Sequence, residues 1–345
     1  MEVNGKHFLT IWFENGLVHM IDQNKLPFAF EIMVCSTWQE TAEAIRNMNV
    51  RGAGAIGAAA GFAMAQAFIQ ASGSEREDYL PEAKKSIEAT RPTARDLFYA
   101  TQKVYNADSI ESAIETALQL AGENLHEGKR IGEVGKELIK DGMGILTHCN
   151  AGWLAFVDYG SALAPIYEAK RKGINFSVFV DETRPRNQGA RLTAWELGNE
   201  NITHYIIADN ASGHFIQQGN IQLVIVGTDR VAANGDVANK IGTLEKAILA
   251  KTFGIPFYVA APLSTFDMNC QTGKDIPIEM RDPDELLYMS GMNLEGRLEE
   301  IRVAAPGSSA LNPAFDVTPA AYITGFITSK GTIKPNAESI SRLFK

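Results

Sequence analysis

A chain of 345 residues is long enough to bury a substantial core, and two packed domains are the favoured arrangement at that length, with one large α/β unit as the alternative. Its formal charge of −9 and pI near 5.3 argue against a nucleic-acid or anionic-membrane surface, so an anionic ligand must find a locally basic pocket. Three widely spaced cysteines (Cys35, Cys149, Cys270) with no Cys-x-x-Cys pair argue against a disulfide framework, and six histidines without ligand spacing give no support to a zinc site.

The start, Met1-Glu2-Val3-Asn4-Gly5, has no basic stretch leading into an apolar one, so no secretory signal is expected and the cytoplasm is the expected location. Residues 8–13 and 17–21 flank Asn15-Gly16, a pair that supplies the positive φ angles of a tight hairpin, and residues 28–35 continue as a third strand. Thr37 with Glu40 three residues on predicts a capping box opening a helix to about Met48. Helices are expected over 54–69, 94–105, 109–126 and 131–138. The first of these is apolar but short, rich in Ala and Gly and interrupted by Gln66, which suits a buried helix rather than a membrane span.

After Lys140 the pattern changes. Short apolar runs at 144–147, 176–180, 204–207, 223–226 and 257–260 alternate with helical segments at 160–172 and 240–252, as in a buried parallel sheet. The expected architecture is α/β. Residues 1–140 form a small antiparallel sheet plus a helical bundle, and residues 141–345 form a Rossmann-like parallel sheet with helices on both faces. Chemistry in such a sheet sits at the carboxyl ends of its strands.

Gly52-Ala-Gly54-Ala-Ile-Gly57 matches the dinucleotide fingerprint, but a helix rather than a strand precedes it, and Glu75 and Glu77 fall in a polar loop instead of at a strand end. What survives is a glycine-rich turn opening a helix beside Arg51. It reads equally as a phosphate site or as helix packing through small residues. Arg91-Pro92-Thr93 punctuates the start of another helix. Three strand ends then carry dense polar chemistry: Thr147-His148-Cys149-Asn150, Asp181-Glu182-Thr183-Arg184 with Gln188 beyond, and Gly227-Thr228-Asp229-Arg230 followed by Asp236, Asn239 and Lys240. Such loading costs stability unless the residues converge on a ligand, which favours an enzyme site. A cysteine at such an edge, near amide dipoles or a cation, is a candidate for a lowered pKa, although a buried inert thiol is the commoner fate.

With these motifs the sequence resembles the methylthioribose-1-phosphate isomerase family. The likeness begins at Ile21 to Pro27 and runs through Arg51-Gly52-Ala53, Arg91 to Ala94, Thr147 to Gly152 and Asp181 to Leu197. It continues through Asp229 to Gly242, Ile255 to Thr265, Ile276 to Glu279 and Asn312 to Pro319. The resemblance implies conversion of an aldose 1-phosphate to the ketose 1-phosphate in methionine salvage, without a metal or organic cofactor, by a homodimer. It implies Cys149 and Asp229 as the catalytic pair, and Arg51, Gly52, Ala53, Arg91, Gln188, Asn239 and Lys240 as binders of the sugar phosphate. Asp229 would protonate the ring oxygen, which calls for apolar burial that raises its pKa. Related isomerases of 5-deoxyribose 1-phosphate or ribose 1,5-bisphosphate, and noncatalytic regulatory subunits of the same architecture, are the alternatives. Departures at Gly54, Arg95, Asp96 and Thr228 touch expected pocket walls and leave the substituent at carbon five open.

Overall fold

The computed structural model describes residues 1–71, 76–91 and 94–345. A short pair, β1 (Glu2–Val3) and β2 (Lys6–His7), precedes a three-stranded antiparallel sheet of β3 (Ile11–Glu14), β4 (Leu17–Ile21) and β5 (Ile32–Cys35). Asn15 and Gly16 take φ of 53° and 81°, so the hairpin turns where its Asn-Gly pair predicts, while the third strand starts four residues later than expected. Helix α1 (Trp38–Arg46) opens on the expected capping box, Thr37 accepting from the Glu40 N–H and the Glu40 carboxylate accepting from the Thr37 N–H.

Helix α2 (Ala53–Gln70) is apolar on all sides and lies in the core, packed by α1, α3 (Arg76–Glu88), α4 (Arg95–Tyr105) and α5 (Ile110–Gly135). Among the described residues it is the one helix long and apolar enough to cross a membrane, and it is buried inside the protein. Gln66 explains why. Its amide donates to the carbonyls of Gly16 (3.1 Å) and Cys35 (2.9 Å) and accepts from the Thr41 hydroxyl (2.7 Å), tying the hairpin and α1 to the helix.

Two helical expectations need correction. Helix α3 carries Glu77, which was expected in a polar loop; Pro92, Thr93 and Glu75 lie outside the described residues. The segments 109–126 and 131–138 are one 26-residue helix, α5, closed by a 3₁₀ turn at Lys136–Leu138. The sequence 127–130, Glu-Gly-Lys-Arg, looks like a break. Gly128, Gly132 and Gly135 instead form one face against the start of the next helix, where an added Cβ would stand 2.7 Å from the Gly160 carbonyl and 2.5 Å from Pro165 Cγ.

The second half is a seven-stranded sheet made of β6 (Gly144–Thr147), β7 (Ser177–Asp181), β8 (His204–Ile207), β9 (Leu223–Val226), β12 (Phe257–Ala260), β17 (Gly325–Thr328) and β18 (Gly331–Ile333), in the spatial order β18-β17-β12-β9-β6-β7-β8. All pairs are parallel except β17 with β18. One face packs on α5, α6 (Ala164–Arg171) and α7 (Ala194–Asn199). The other packs on α8 (Ser212–Gln217), α9 (Thr243–Phe253) and the terminal helix Ala337–Arg342. The expected helices thus cover both faces.

A second, four-stranded sheet was not anticipated. It joins β10 (Arg230–Ala232), β11 (Val237–Lys240), β13 (Phe266–Asp267) and β16 (Phe315–Thr318). Asn239 and Lys240 therefore lie on a strand rather than leading a helix, and α9 begins at Thr243. Replacing Gln66 with leucine removes the side-chain donor to two carbonyls and leaves the Thr41 hydroxyl only the Thr37 carbonyl at 3.3 Å, so Gln66→Leu is expected to lower unfolding free energy by roughly 2–4 kcal/mol. Urea denaturation measures it; an unchanged midpoint would refute the account of Gln66.

Candidate active site

Strand order decides where the site lies. From β6 the chain adds β7 and β8 on one side, then returns to add β9, β12 and β17 on the other. Loops leaving β6 and β9 therefore diverge, and the crevice between them is where ligands bind in open parallel sheets. Cys149 follows β6 and Asp229 follows β9. The two loops touch: a Cβ on Gly227 would lie 2.5 Å from the Ala151 Cβ, so only glycine admits this contact.

The turn before α2 faces this edge. Gly52 has φ of 86°, and a Cβ there would sit 2.4 Å from the Ala155 Cα, so the glycine is required for the approach. Helix α2 starts at Ala53 with no side-chain cap, leaving its first amide groups available to an anion beside Gly52 and Ala53. Gly54 and Gly57 have the other role left open by the sequence. They are packing positions, against Asn124 and Phe156 for Gly54 and against Asp96 for Gly57.

All the residues proposed from sequence meet here. Arg51, Gly52, Ala53, Arg91, Cys149, Gln188, Asp229, Asn239 and Lys240 line one cavity of about 80 Å³, together with Met48, Phe156 and Phe315. Others from the same motifs go elsewhere. Asp236 accepts from the N–H groups of Gly273 and Ala320, Arg184 donates to the carbonyls of Pro185 and Leu286, and Arg191 donates to those of Asn24 and Leu26.

Arg51 is buried, and its guanidinium donates to both the carbonyl and the side-chain oxygen of Asn150 at 2.6–3.3 Å. Asn150 in turn donates to Glu196 Oε1 (2.8 Å) and Thr193 Oγ1 (3.1 Å). Arg91 Nη1 is buried without a hydrogen-bond partner among the described residues, an arrangement that an incoming anion would complete. Burial lowers the pKa of Lys240, while Cys149 and Asp229 nearby favour its charged form. Its Nζ stands 5.0 Å from the Phe315 ring centroid.

The Cys149 thiol points to Gln188 Oε1 at 3.4 Å. Burial pushes its pKa up; Lys240 and Arg51 pull it back without reversing the direction, so the lowered value envisaged for a strand-end cysteine is not found. The pKa of Asp229 is raised, the direction expected of a ring-oxygen acid, and burial is the largest cause. Its surroundings are not apolar, however. The side chain is exposed to the cavity although protein encloses it, and Lys240, Arg91 and Arg51 act to lower its pKa.

One residue missed from sequence, Glu196, lies beneath this surface. Glu196 on α7 is fully buried and accepts from Tyr167, Asn150 and the N–H groups of Trp153 and Leu154. A lone acid in the apolar run Ala194-Trp195-Glu196-Leu197 was the available signal. His148 contacts the Asp181 carboxylate and the Ile241 carbonyl, each at 2.8 Å. His148, Asp181 and Asp209 are the one group among the described residues close enough to share a cation. Lys246 already places its ammonium 3.7 Å from Asp181, and Asp209 accepts from the N–H groups of Thr183 and Arg184.

The fold and site define an α/β protein with a cationic pocket at the switch point of its parallel sheet, holding one thiol and one carboxyl. Residues 49–335 match the Initiation factor 2 subunit family. Methylthioribose-1-phosphate isomerases of Sulfurimonas denitrificans and Desulfatibacillum aliphaticivorans are each 46% identical to the chain, covering 98% and 100% of it and 99% of their own lengths. The crystal structure of 5-methylthioribose 1-phosphate isomerase from Pyrococcus horikoshii superposes with a TM-score of 0.87 at 40% identity, covering 98% of this chain and 96% of that one. A chain described as translation initiation factor eIF-2B subunit delta, from A. fulgidus, gives 0.84 at 38% identity, covering 97% and 100%. The chain belongs to the Initiation factor 2 subunit family and groups there with the methylthioribose-1-phosphate isomerases.

Glu196 generates a pH prediction. Burial raises its pKa from the usual 4.5 to about 7, so the stability it contributes is complete below about pH 4.5 and is lost as pH rises through about 7. Glu196→Gln cannot ionise, and its NH₂ group meets hydrogen-bond donors. The variant is therefore expected to be less stable than wild type at pH 5, with the gap narrowing by roughly 2–3 kcal/mol toward pH 8. Urea unfolding at both pH values tests this, and a constant gap would rule out the assignment to Glu196.

Proposed function

We propose that the protein is an aldose–ketose isomerase converting S-methyl-5-thioribose 1-phosphate to 5-methylthioribulose 1-phosphate. The observation that carries this reading is the convergence of Cys149, Asp229 and three cationic side chains on one cavity at the switch point. Arg51, Arg91 and Lys240, with the first amides of α2, hold the phosphate and contribute position and charge rather than bond making. Gln188 and Asn239 contact the sugar.

Asp229 donates its proton to the ring oxygen as the C1–O4 bond breaks, giving the O4 hydroxyl. That cleavage leaves C1 electron-deficient; the hydrogen on C2 then moves to C1 with its bonding electron pair, and loss of the O2 hydroxyl proton to Asp229 makes C2 the ketone. Atoms and electrons balance within the substrate, without an outside oxidant or reductant. A thiol kept neutral by burial supports a direct shift of hydrogen from C2 to C1, with Cys149 against the reacting carbons, over abstraction by a thiolate.

An adjoining cavity of about 60 Å³ shares Gly52, Ala53, Arg91, Asp229 and Phe315 with the first and is walled mainly by the apolar Ile56, Ala94, Ala238, Ile276 and Pro277, with Asp96 among them. Those walls favour a methylthio group at carbon five. Arg95 and Arg230 also border it, but both lie near Asp267, at 3.3 Å and 3.6 Å, which disfavours a second phosphate as in ribose 1,5-bisphosphate. From the change of pattern after Lys140 we read residues 1–140 and 141–345 as two units, from cysteine usage a cytoplasmic location, and from the family resemblance a homodimer.

Purified protein is expected to form ketose from methylthioribose 1-phosphate faster than from 5-deoxyribose 1-phosphate, and to leave ribose 1,5-bisphosphate unchanged. Cys149→Ser and Asp229→Asn are each expected to lower kcat by roughly 10²–10⁴-fold. Folded wild type that turns over none of the three sugars would point to the regulatory-subunit class instead.

A further inference from the structure

Cys149 has φ of 65°, and Thr183, at the neighbouring strand end, has φ of 63°. Left-handed backbone is unfavourable for both residues and most of all for β-branched threonine, so it persists only where the surroundings over-determine it. Here they do. The Cys149 N–H donates to Thr183 Oγ1 at 2.8 Å, and that hydroxyl donates onward to the Asp181 carbonyl at 2.9 Å. The Thr183 N–H is taken by Asp209 Oδ1 at 2.7 Å. From the opposite side, the Thr193 hydroxyl donates to the Cys149 carbonyl at 2.7 Å while accepting from the Asn150 amide. Thr193 ends the π-helical turn Gly189–Thr193 that follows Gln188, the partner of the thiol.

Both main-chain polar groups of Cys149 are therefore held by threonine hydroxyls. Thr183 and Thr193 are buried and do not line the cavity, so neither touches a bound substrate. We propose that Thr183 and Thr193 are positioning residues, a two-sided clamp that holds the Cys149 backbone left-handed and aims its thiol at Gln188 and the reacting carbons. Their action on turnover rests on the isomerase reading above; their action on the thiol does not.

The test compares Thr183→Val and Thr193→Val, which keep shape and remove the hydroxyl, with Thr183→Ser and Thr193→Ser, which keep it. Two readouts are taken on folded protein: kcat and KM with methylthioribose 1-phosphate, and the rate of Cys149 carboxamidomethylation by iodoacetamide, followed by peptide mass spectrometry. Each valine variant is expected to lower kcat by about 10²-fold with KM changed less than about threefold, since misplacement of a reacting group by about an ångström costs that much. The alkylation rate at Cys149 is expected to change about fivefold or more, and serine to restore both readouts. Valine variants that match wild type in both readouts, or serine variants as impaired as valine, would overturn the clamp. If Thr183→Val does not fold, Thr193→Val decides the same question. Wild type without turnover but with the expected alkylation pattern would sink the isomerase reading and leave the clamp standing.

Discussion

The contact between the loops after β6 and β9, made at Gly227 and Ala151, is the constraint on which the rest of the site depends. Parallel strands place their outgoing loops on one edge, and the reversal of strand order between β6 and β9 opens a crevice there. Cys149 and Asp229 enter that crevice from opposite sides because each follows its strand by two or three residues. The four-stranded sheet then folds β11 back along the Asp229 loop, the Asp229 N–H donating to the Ala238 carbonyl at 3.1 Å, which brings Asn239 and Lys240 to the same cavity.

Local charge suits the pocket to an anion although the chain is acidic overall. Arg51, Arg91 and Lys240 converge on the cavity with Asp229, and desolvation acts against the charge of all three cations. Buried cations need partners. Arg51 has two acceptors on Asn150 with Glu196 behind them, whereas Arg91 has a donor with no partner among the described residues. The phosphate of a substrate would supply what Arg91 lacks, and the open amides of α2 add to the same field.

Order in this site comes from hydrogen bonds in and behind the cavity wall. Glu196 sets the orientation of Asn150, Asn150 holds Arg51, and the threonine hydroxyls hold Cys149. His148, Asp181 and Lys246 form a further buried layer beneath the same loops. A cavity supported in this way has little reorganisation left to do when charge moves in it.

Much of this was legible in the linear chain, because it rests on local rules. Asn15-Gly16 specifies its hairpin, Thr37 and Glu40 their cap, and apolar runs ending in polar clusters mark strand ends that carry chemistry. The roles given to Arg51, Cys149, Gln188, Asp229 and Lys240 came from the family resemblance rather than from local rules, and the structure brings these residues to one cavity. Tertiary structure alone decided what depends on partners distant in sequence. Helix α5 runs unbroken because its glycines meet the chain at 160–165, and Asn239 and Lys240 sit on a strand because β11 finds β16 some 80 residues on. Glu196 belongs to the site because packing brings α7 under the Cys149 loop, and Cys149 has a raised pKa because burial outweighs the cations beside it. Periodicity and turn chemistry act over a few residues; desolvation and long-range pairing exist only once the chain has folded.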